Sequence, residues 1–275
     1  MADGGLAQNF PFLSVSLLLP NGKPYPVKKV INADGTPNEG AIESVGLPYL
    51  ASTNVVAQIF SSLAATSAVT HVLIYNYDII KGVLQRKKGK TNIDPHRLVC
   101  EKYGDFPIWG FIAISLLSIG LAVLASTLSH SGLSVLGLFV AIIVSSTLTL
   151  ALGFLIAITG FSLNVNSVVQ TIGGLIFPGN AFGNMWFTAY GASTVTQSIN
   201  MLKDLKLGQY MHVPQKHVVY SQIFGTFVGL FVNYGVMKLL VRTQREVLLS
   251  PGGNGVFSGF LIAAFNSRAV WYVSN

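Results

Sequence analysis

The chain has 275 residues, of which 51% are hydrophobic and only 10% are charged, and its mean hydropathy is +0.57. Soluble domains carry about a quarter charged residues, so this composition excludes a soluble globular protein and is typical of an integral membrane protein. The net charge of +7 does not indicate a nucleic-acid partner, because the basic residues lie in loops between apolar segments, where they orient helices in the bilayer.

The N-terminal part differs in composition from the rest. Residues 1–52 are rich in proline, glycine and asparagine, and the first 20 residues carry no early basic region and no apolar core of signal-peptide quality. Turn-forming residues at 20–22 and 34–35 separate short apolar stretches. We therefore predict an irregular extramembrane loop over 1–52 and a transmembrane bundle over 53–275.

Four apolar segments each approach the roughly 20 residues needed to cross a ~30 Å hydrocarbon core. They are 54–77, 107–127, 133–158 and 218–240. The basic loop 78–105 is predicted to be cytoplasmic, which places the N-terminal loop outside the cell or in a lumen. The predicted fold class is all-α, a polytopic membrane helix bundle.

The segment 161–201 is predicted to enter the membrane and return, because the next loop, 202–217, is also basic. Two forms are compatible with this: a re-entrant hairpin that turns at Pro178-Gly179-Asn180, or two short spans. We therefore expect a broken or re-entrant helix pair over 161–201, and a partial segment over 255–273.

Small residues predict close helix packing in two spans. They recur at every fourth position of the third span, at Gly137, Ala141, Ser145, Thr149, Gly153 and Ala157, and in the fourth span at Ser221, Gly225 and Gly229.

Uncharged polar residues interrupt the apolar sequence between 160 and 200. In lipid, such residues and broken helices persist only where they face protein or a water-filled cavity, so we predict that this stretch lines a transport pathway. Amide side chains match the donors and acceptors of a peptide; the alternative for each is an interhelical hydrogen bond that fixes packing. The candidate lining residues are Asn164, Asn166, Gln170, Asn180, Asn184, Tyr190 and Gln197.

Three ionisable residues are candidates for proton transfer or gating. His71 lies six residues before the end of the first span, where it could relay protons or hydrogen-bond a backbone carbonyl at the interface. Asp204 and Lys206 form either a cytoplasmic gate or an ordinary solvated pair. No metal site is predicted, because His212 and His217 are five residues apart and do not share a helix face well.

One long run of sequence carries a family resemblance. The run NMWFTAYGASTVTQSINMLKDLKLGQYMHVPQKHVVYSQIFGTFVGLFVNYGV at 184–236 resembles the oligopeptide transporter (OPT) family, specifically its peptide-transporting branch. DLKLGQYM at 204–211, followed by Pro214, is its most specific motif. QNFPF at 8–12, GLPYL at 46–50 and positions 255–256, 259, 265–267 and 271 extend the similarity to almost the whole chain.

The resemblance implies secondary transport of small peptides, or of related compounds such as glutathione or metal chelates, driven by protons. It implies that the proton is the coupling ion and that no other cofactor is bound. The implied partners are a peptide substrate, the lipid bilayer and further transporter subunits or spans. We expect an integral membrane protein of the plasma membrane. Family members are longer, so the chain resembles an internal or truncated portion. The alternative is a non-transporting remnant that only inserts in the membrane or associates with a full-length relative.

The sequence departs from the family pattern at positions that concern transport. Gln170 occupies a position where an acidic residue is common, and a glutamine hydrogen-bonds a peptide amide but does not exchange a proton. We therefore do not expect proton coupling at Gln170. Thr188 replaces a lysine, and the loop reads His-Val-Pro-Gln-Lys at 212–216 where the family has Lys-Ile-Pro-Pro-Arg. No motif of a hydrolase, nucleotide-binding protein or metalloprotease is present, so no enzymatic activity is predicted.

Overall fold

A computed structural model describes residues 9–12, 14, 16–32, 36–78, 81, 95–129, 131–160, 162–163, 165–250, 254, 256–257 and 260–274. Over these residues the chain is helical, with isolated β-bridges and no extended strand. The helices are α1 (Val27–Val30), α2 (Glu39–Val45), α3 (Ser52–Tyr75), α4 (Pro95–Cys100), α5 (Ile108–Leu128), α6 (Val135–Thr159), α7 (Asn166–Ile176), α8 (Ala181–Thr188), α9 (Thr194–Tyr210), α10 (Gln215–Thr243), α11 (Arg245–Leu248) and α12 (Phe260–Ser274). The predicted all-α membrane bundle is confirmed.

Four of the described helices, α3, α5, α6 and α10, are long and apolar enough to cross a membrane. Their ends lie within three residues of the spans predicted from hydropathy. The agreement is close because the thickness of the hydrocarbon core fixes the length of an apolar helix.

Helix α6 is the centre of the bundle and packs against α3, α5, α8 and α9. Its first turn is capped by the Ser134 hydroxyl, which accepts the N–H of Gly137 at 3.1 Å. Gly137, Ala141 and Ser145 of the small-residue series are all buried. The absence of a side chain at Gly137 admits the Phe177 ring, which an added Cβ would overlap.

A helical hairpin packs beside α6. Its first limb is α7, and its second limb is a continuous helix formed by α8, a π-helical segment (Ala189–Ser193) and α9. The limbs are joined at 177–180, where Gly179 has a φ of +71° that suits glycine. The hairpin turn therefore lies at the Pro-Gly-Asn sequence where the pattern predicted it.

The N-terminal loop covers the turn of this hairpin. A small core of Leu17, Tyr25, Val30, Ile42 and Val270 joins the loop to α12. A Cβ on Gly179 would lie 2.6 Å from Val273 and 3.4 Å from Pro37, so the turn, α12 and the loop are in close contact.

Helix α10 has little cover from the described part of the chain. Along its 29 residues only Val219 is buried. No described atom lies within 4 Å of the Cβ positions of Gly225 or Gly229, so the close helix approach expected there is not made by the described residues. Helix α10 therefore presents bare apolar faces.

Candidate substrate pathway

The two ends of the hairpin lie on opposite sides of the bundle. At the turn, the Asn180 amide Nδ2 donates to the Gly132 carbonyl at 3.0 Å, next to the loop between α5 and α6. At the other end, the last turn of α9 packs against α4 in the basic segment ahead of α5. The end of α9 and α4 thus lie on the same side, as expected if both basic loops face one compartment.

The helix of the first limb is shorter than the hydrocarbon core of a membrane is thick. Helix α7 has 11 residues, which at 1.5 Å per residue is about 16 Å, or about half of a ~30 Å core. Between Thr159 and Asn166, the described residues are non-helical. Non-helical backbone at membrane depth is tolerated where it faces protein or lines a water-filled cavity.

Gln170 is the most unusual residue of this limb. Its side chain is only 6% exposed, and its Nε2 atom is buried with no hydrogen-bond partner among the described residues. A buried amide left without a partner costs about 1–3 kcal/mol. Such a group is a candidate to hydrogen-bond a ligand or water that enters the bundle.

Two asparagines of the second limb are engaged in bonds within the chain. Asn180 caps α8 by accepting the N–H of Gly183 at 2.7 Å, in addition to its bond with Gly132. Asn184 is 3% exposed and its Oδ1 accepts the hydroxyl of Thr188 at 3.3 Å. These contacts support the packing role that the sequence left open for both residues.

The other candidate lining residues differ in environment. Asn166 begins α7 and is exposed. Tyr190 lies in the π-helical segment, its hydroxyl donates to the Ala122 carbonyl at 3.4 Å, and its ring lies 5.8 Å from that of Trp186. Gln197 is exposed on α9. Asn164 falls outside the described residues.

The structure gives the three ionisable candidates separate surroundings. His71 is exposed near the end of α3, with its ring 4.8 Å from that of Tyr75, and it lines an open groove of about 380 Å³. Asp204 accepts a hydrogen bond from the Gln222 amide. Lys206 lies 4.6 Å from the Tyr210 ring centroid. Asp204 and Lys206 are thus engaged with different partners.

The hairpin brings Gln170 and Asn184 into one structural unit, because Gly173 allows α7 to approach α8 closely. A Cβ at Gly173 would lie 2.8 Å from Phe187 Cδ1 and closer still to Asn184 Oδ1. His71 and Asp204 belong to other parts of the bundle. Sequence reasoning missed the π-helical segment. Short π-helical segments inside α-helices are frequent at functional sites.

The OPT oligopeptide transporter protein family model matches residues 6–275. The chain belongs to this family. Glutathione transporter 1 of Schizosaccharomyces pombe is 26% identical to this OPT chain. The match covers 92% of the chain and 30% of the relative. Oligopeptide transporter 7 of Arabidopsis thaliana is 28% identical over 88% of the chain and 32% of the relative. Oligopeptide transporter 1 of Saccharomyces cerevisiae is 24% identical over 96% of the chain and 33% of the relative.

This OPT chain spans about a third of the length of the curated relatives that it matches. No solved structure matches it. Family membership and the four apolar helices together make the chain an integral membrane protein.

Proposed function

We propose that this chain forms part of a pathway that carries small peptides across a membrane, with α7 and the non-helical residues before it as lining. The buried and unpartnered amide Nε2 of Gln170 is the observation that carries this proposal. The names of the relatives, transporters of oligopeptides or of glutathione, a small peptide, support the same substrate class.

The chemistry of the limb suits a peptide. A glutamine side chain both donates and accepts hydrogen bonds, so Gln170 matches a backbone amide of the substrate. The N-terminus of α7, at Asn166, carries the positive end of the helix dipole. The shortness of α7 supports a position for this end inside the membrane thickness. Half-helix ends of this kind favour the carboxylate of a substrate in secondary transporters.

A proton gradient is the proposed energy source, and the proposed location is the plasma membrane. Gln170 does not titrate, so the proton-carrying group lies elsewhere. His71 is the candidate among the described residues of the predicted spans, because an imidazole nitrogen can both accept and donate a proton. Its exposed position on α3 leaves it open to a further helix or to water.

The test is uptake of a labelled tetrapeptide into cells without peptide transporters of their own, across an imposed pH gradient. Membrane insertion of every variant is checked by surface labelling. Gln170→Leu is expected to abolish uptake and leave insertion intact. Asn233→Leu also replaces an amide side chain by leucine, at an exposed position of α10 outside the candidate lining residues, and is the control. Unaltered uptake by Gln170→Leu would assign Gln170 to packing.

A second candidate function is association with a full-length relative without transport by this chain alone. The bare faces of α10 favour it, since no described atom lies within 4 Å of the Cβ positions of Gly225 and Gly229. Correct insertion without uptake, together with co-purification with a full-length relative, would support this alternative.

A further inference from the structure

Helix α9 ends in a Schellman motif whose left-handed residue is a histidine. The N–H of Val213 donates to the Gly208 carbonyl at 2.9 Å, and the N–H of His212 donates to the Gln209 carbonyl at 3.2 Å. His212 has a φ of +55°, and it is the one non-glycine residue with positive φ in the described part of the chain. Glycine is the usual residue here because it has no Cβ to strain. The His212 side chain therefore carries a conformational cost at this position.

That imidazole lies against a second imidazole from a distant segment. Nε2 of His212 is 3.1 Å from Nδ1 of His96, which lies 116 residues earlier, in α4. The Tyr210 ring packs edge-on against His96 with centroids 5.1 Å apart. Cys100 donates from Sγ to the Gln209 carbonyl at 3.5 Å. These contacts hold α4 against the last turn of α9 and place the two ring nitrogens next to each other.

We propose that His96 Nδ1 and His212 Nε2 are the protein ligands of a divalent transition-metal ion of the class of Zn²⁺, Ni²⁺ or Cu²⁺. Imidazole nitrogen is a preferred ligand of these ions. For metal–nitrogen distances of about 2.0–2.1 Å, nitrogens 3.1 Å apart give an N–metal–N angle of about 98°. This angle lies between the right angle of square-planar or octahedral sites and the tetrahedral angle. The proposal does not depend on the proposed transport function.

Water or another solute completes the coordination shell of the ion. Histidine, cysteine and carboxylate side chains form no group of three or more suited to a metal within the described residues. The ion thus ties the basic segment ahead of α5 to the end of α9. The spacing of His212 and His217 predicted no site, because the second ligand comes from α4 and not from the same loop.

A direct N–H···N hydrogen bond is the rival account of the same distance. Two neutral imidazoles form such a bond when one ring donates and the other accepts. It requires no ion, and it gives the pair no role in metal binding. Metal affinity therefore separates the two accounts.

The experiment is calorimetric titration of Zn²⁺ into the full chain in detergent, purified without a polyhistidine tag. The expected result is one Zn²⁺ per chain, with affinity at least tenfold lower in His96→Ala and in His212→Gly. His212→Gly removes the imidazole and places the preferred residue at the left-handed position, so the helix end is kept. His217→Ala, an exposed histidine of the same region, is the control and is expected to bind as wild type.

Electron paramagnetic resonance of the Cu²⁺-loaded chain gives a second reading. The wild-type spectrum is expected to show coupling to two imidazole nitrogens, and each of the His96 and His212 variants to one at most. Wild-type affinity in both variants, or the absence of one-to-one binding in the wild-type chain, would overturn the proposal. The second result would leave the N–H···N hydrogen bond as the account of the pair.

Discussion

Gly173→Ala is expected to loosen the hairpin, because the added methyl group enters the contact between α7 and α8. An alanine Cβ would lie 2.8 Å from Phe187 Cδ1 and closer still to Asn184 Oδ1. Carbon atoms in ordinary contact are about 3.5–4.0 Å apart, so Phe187 would have to retreat by about 0.7 Å or more. Phe187 is fully buried, at 0% exposure, and has no adjacent solvent to move into.

The magnitude follows from two opposing effects. Overpacking of a filled core costs about 1–3 kcal/mol, whereas replacing glycine by alanine inside a helix gains about 1 kcal/mol. Gly225→Ala in α10 isolates the second effect, because no described atom lies within 4 Å of its Cβ position. The difference in unfolding free energy between the two variants is therefore expected to be about 1–3 kcal/mol.

The assay is equilibrium unfolding in mixed detergent micelles, followed by tryptophan fluorescence. Trp186 lies in α8, within the hairpin, and reports on its packing. Gly173→Ala should unfold at a lower fraction of denaturing detergent than Gly225→Ala, and Gly225→Ala at a fraction equal to or higher than that of the wild-type chain. Equal midpoints for the two variants would refute the close approach of α7 and α8 at Gly173.

Two further predictions concern the hydrogen bonds of one side chain each. Asn180→Ala removes the side chain that caps α8 at the Gly183 N–H and should lower the unfolding free energy by about 1 kcal/mol or more. The control is Asn200→Ala, at an exposed position, which should leave the unfolding free energy nearly unchanged. Burial raises the pKa of the Tyr25 phenol, so its contribution to stability is present below the unfolded pKa and is lost as pH rises through the higher folded pKa. Tyr25→Phe should flatten the fall in stability above about pH 10. It should also lower the unfolding free energy by about 1 kcal/mol, because the hydrogen bond to the Gly46 carbonyl is lost. An unchanged alkaline stability profile in Tyr25→Phe would count against this prediction.

The sequence predicted those parts of the fold that local physics determines. Span bounds follow from hydropathy and bilayer thickness, and the turn at Pro178-Gly179-Asn180 follows from residues that end helices. The role of Asn180 as an N-cap was also open to sequence reasoning, because asparagine is a preferred residue at that position. In the candidate pathway, however, the amide side chains divide into bonded and unpartnered groups, and no local pattern separates Gln170 from Asn184.

Contacts between distant segments were beyond sequence reasoning. His96 and His212 are 116 residues apart, and their approach depends on how α4 lies on the end of α9. The bond between Gln222 and Asp204 also crosses from one helix to another. Such pairs are set by the packing of whole helices, whereas periodicity and turn signals report only on neighbours along the chain.

The small core that joins the N-terminal loop to α12 has a consequence for how the chain opens. Leu17 and Val270 lie near opposite ends of the sequence, yet both are almost fully buried in that core. Amide hydrogens across the loop, the hairpin turn and α12 should therefore exchange with solvent together, as one cooperative unit. A destabilising substitution in the first fifty residues should then speed deuterium uptake in the last fifteen, although the two regions share no stretch of backbone.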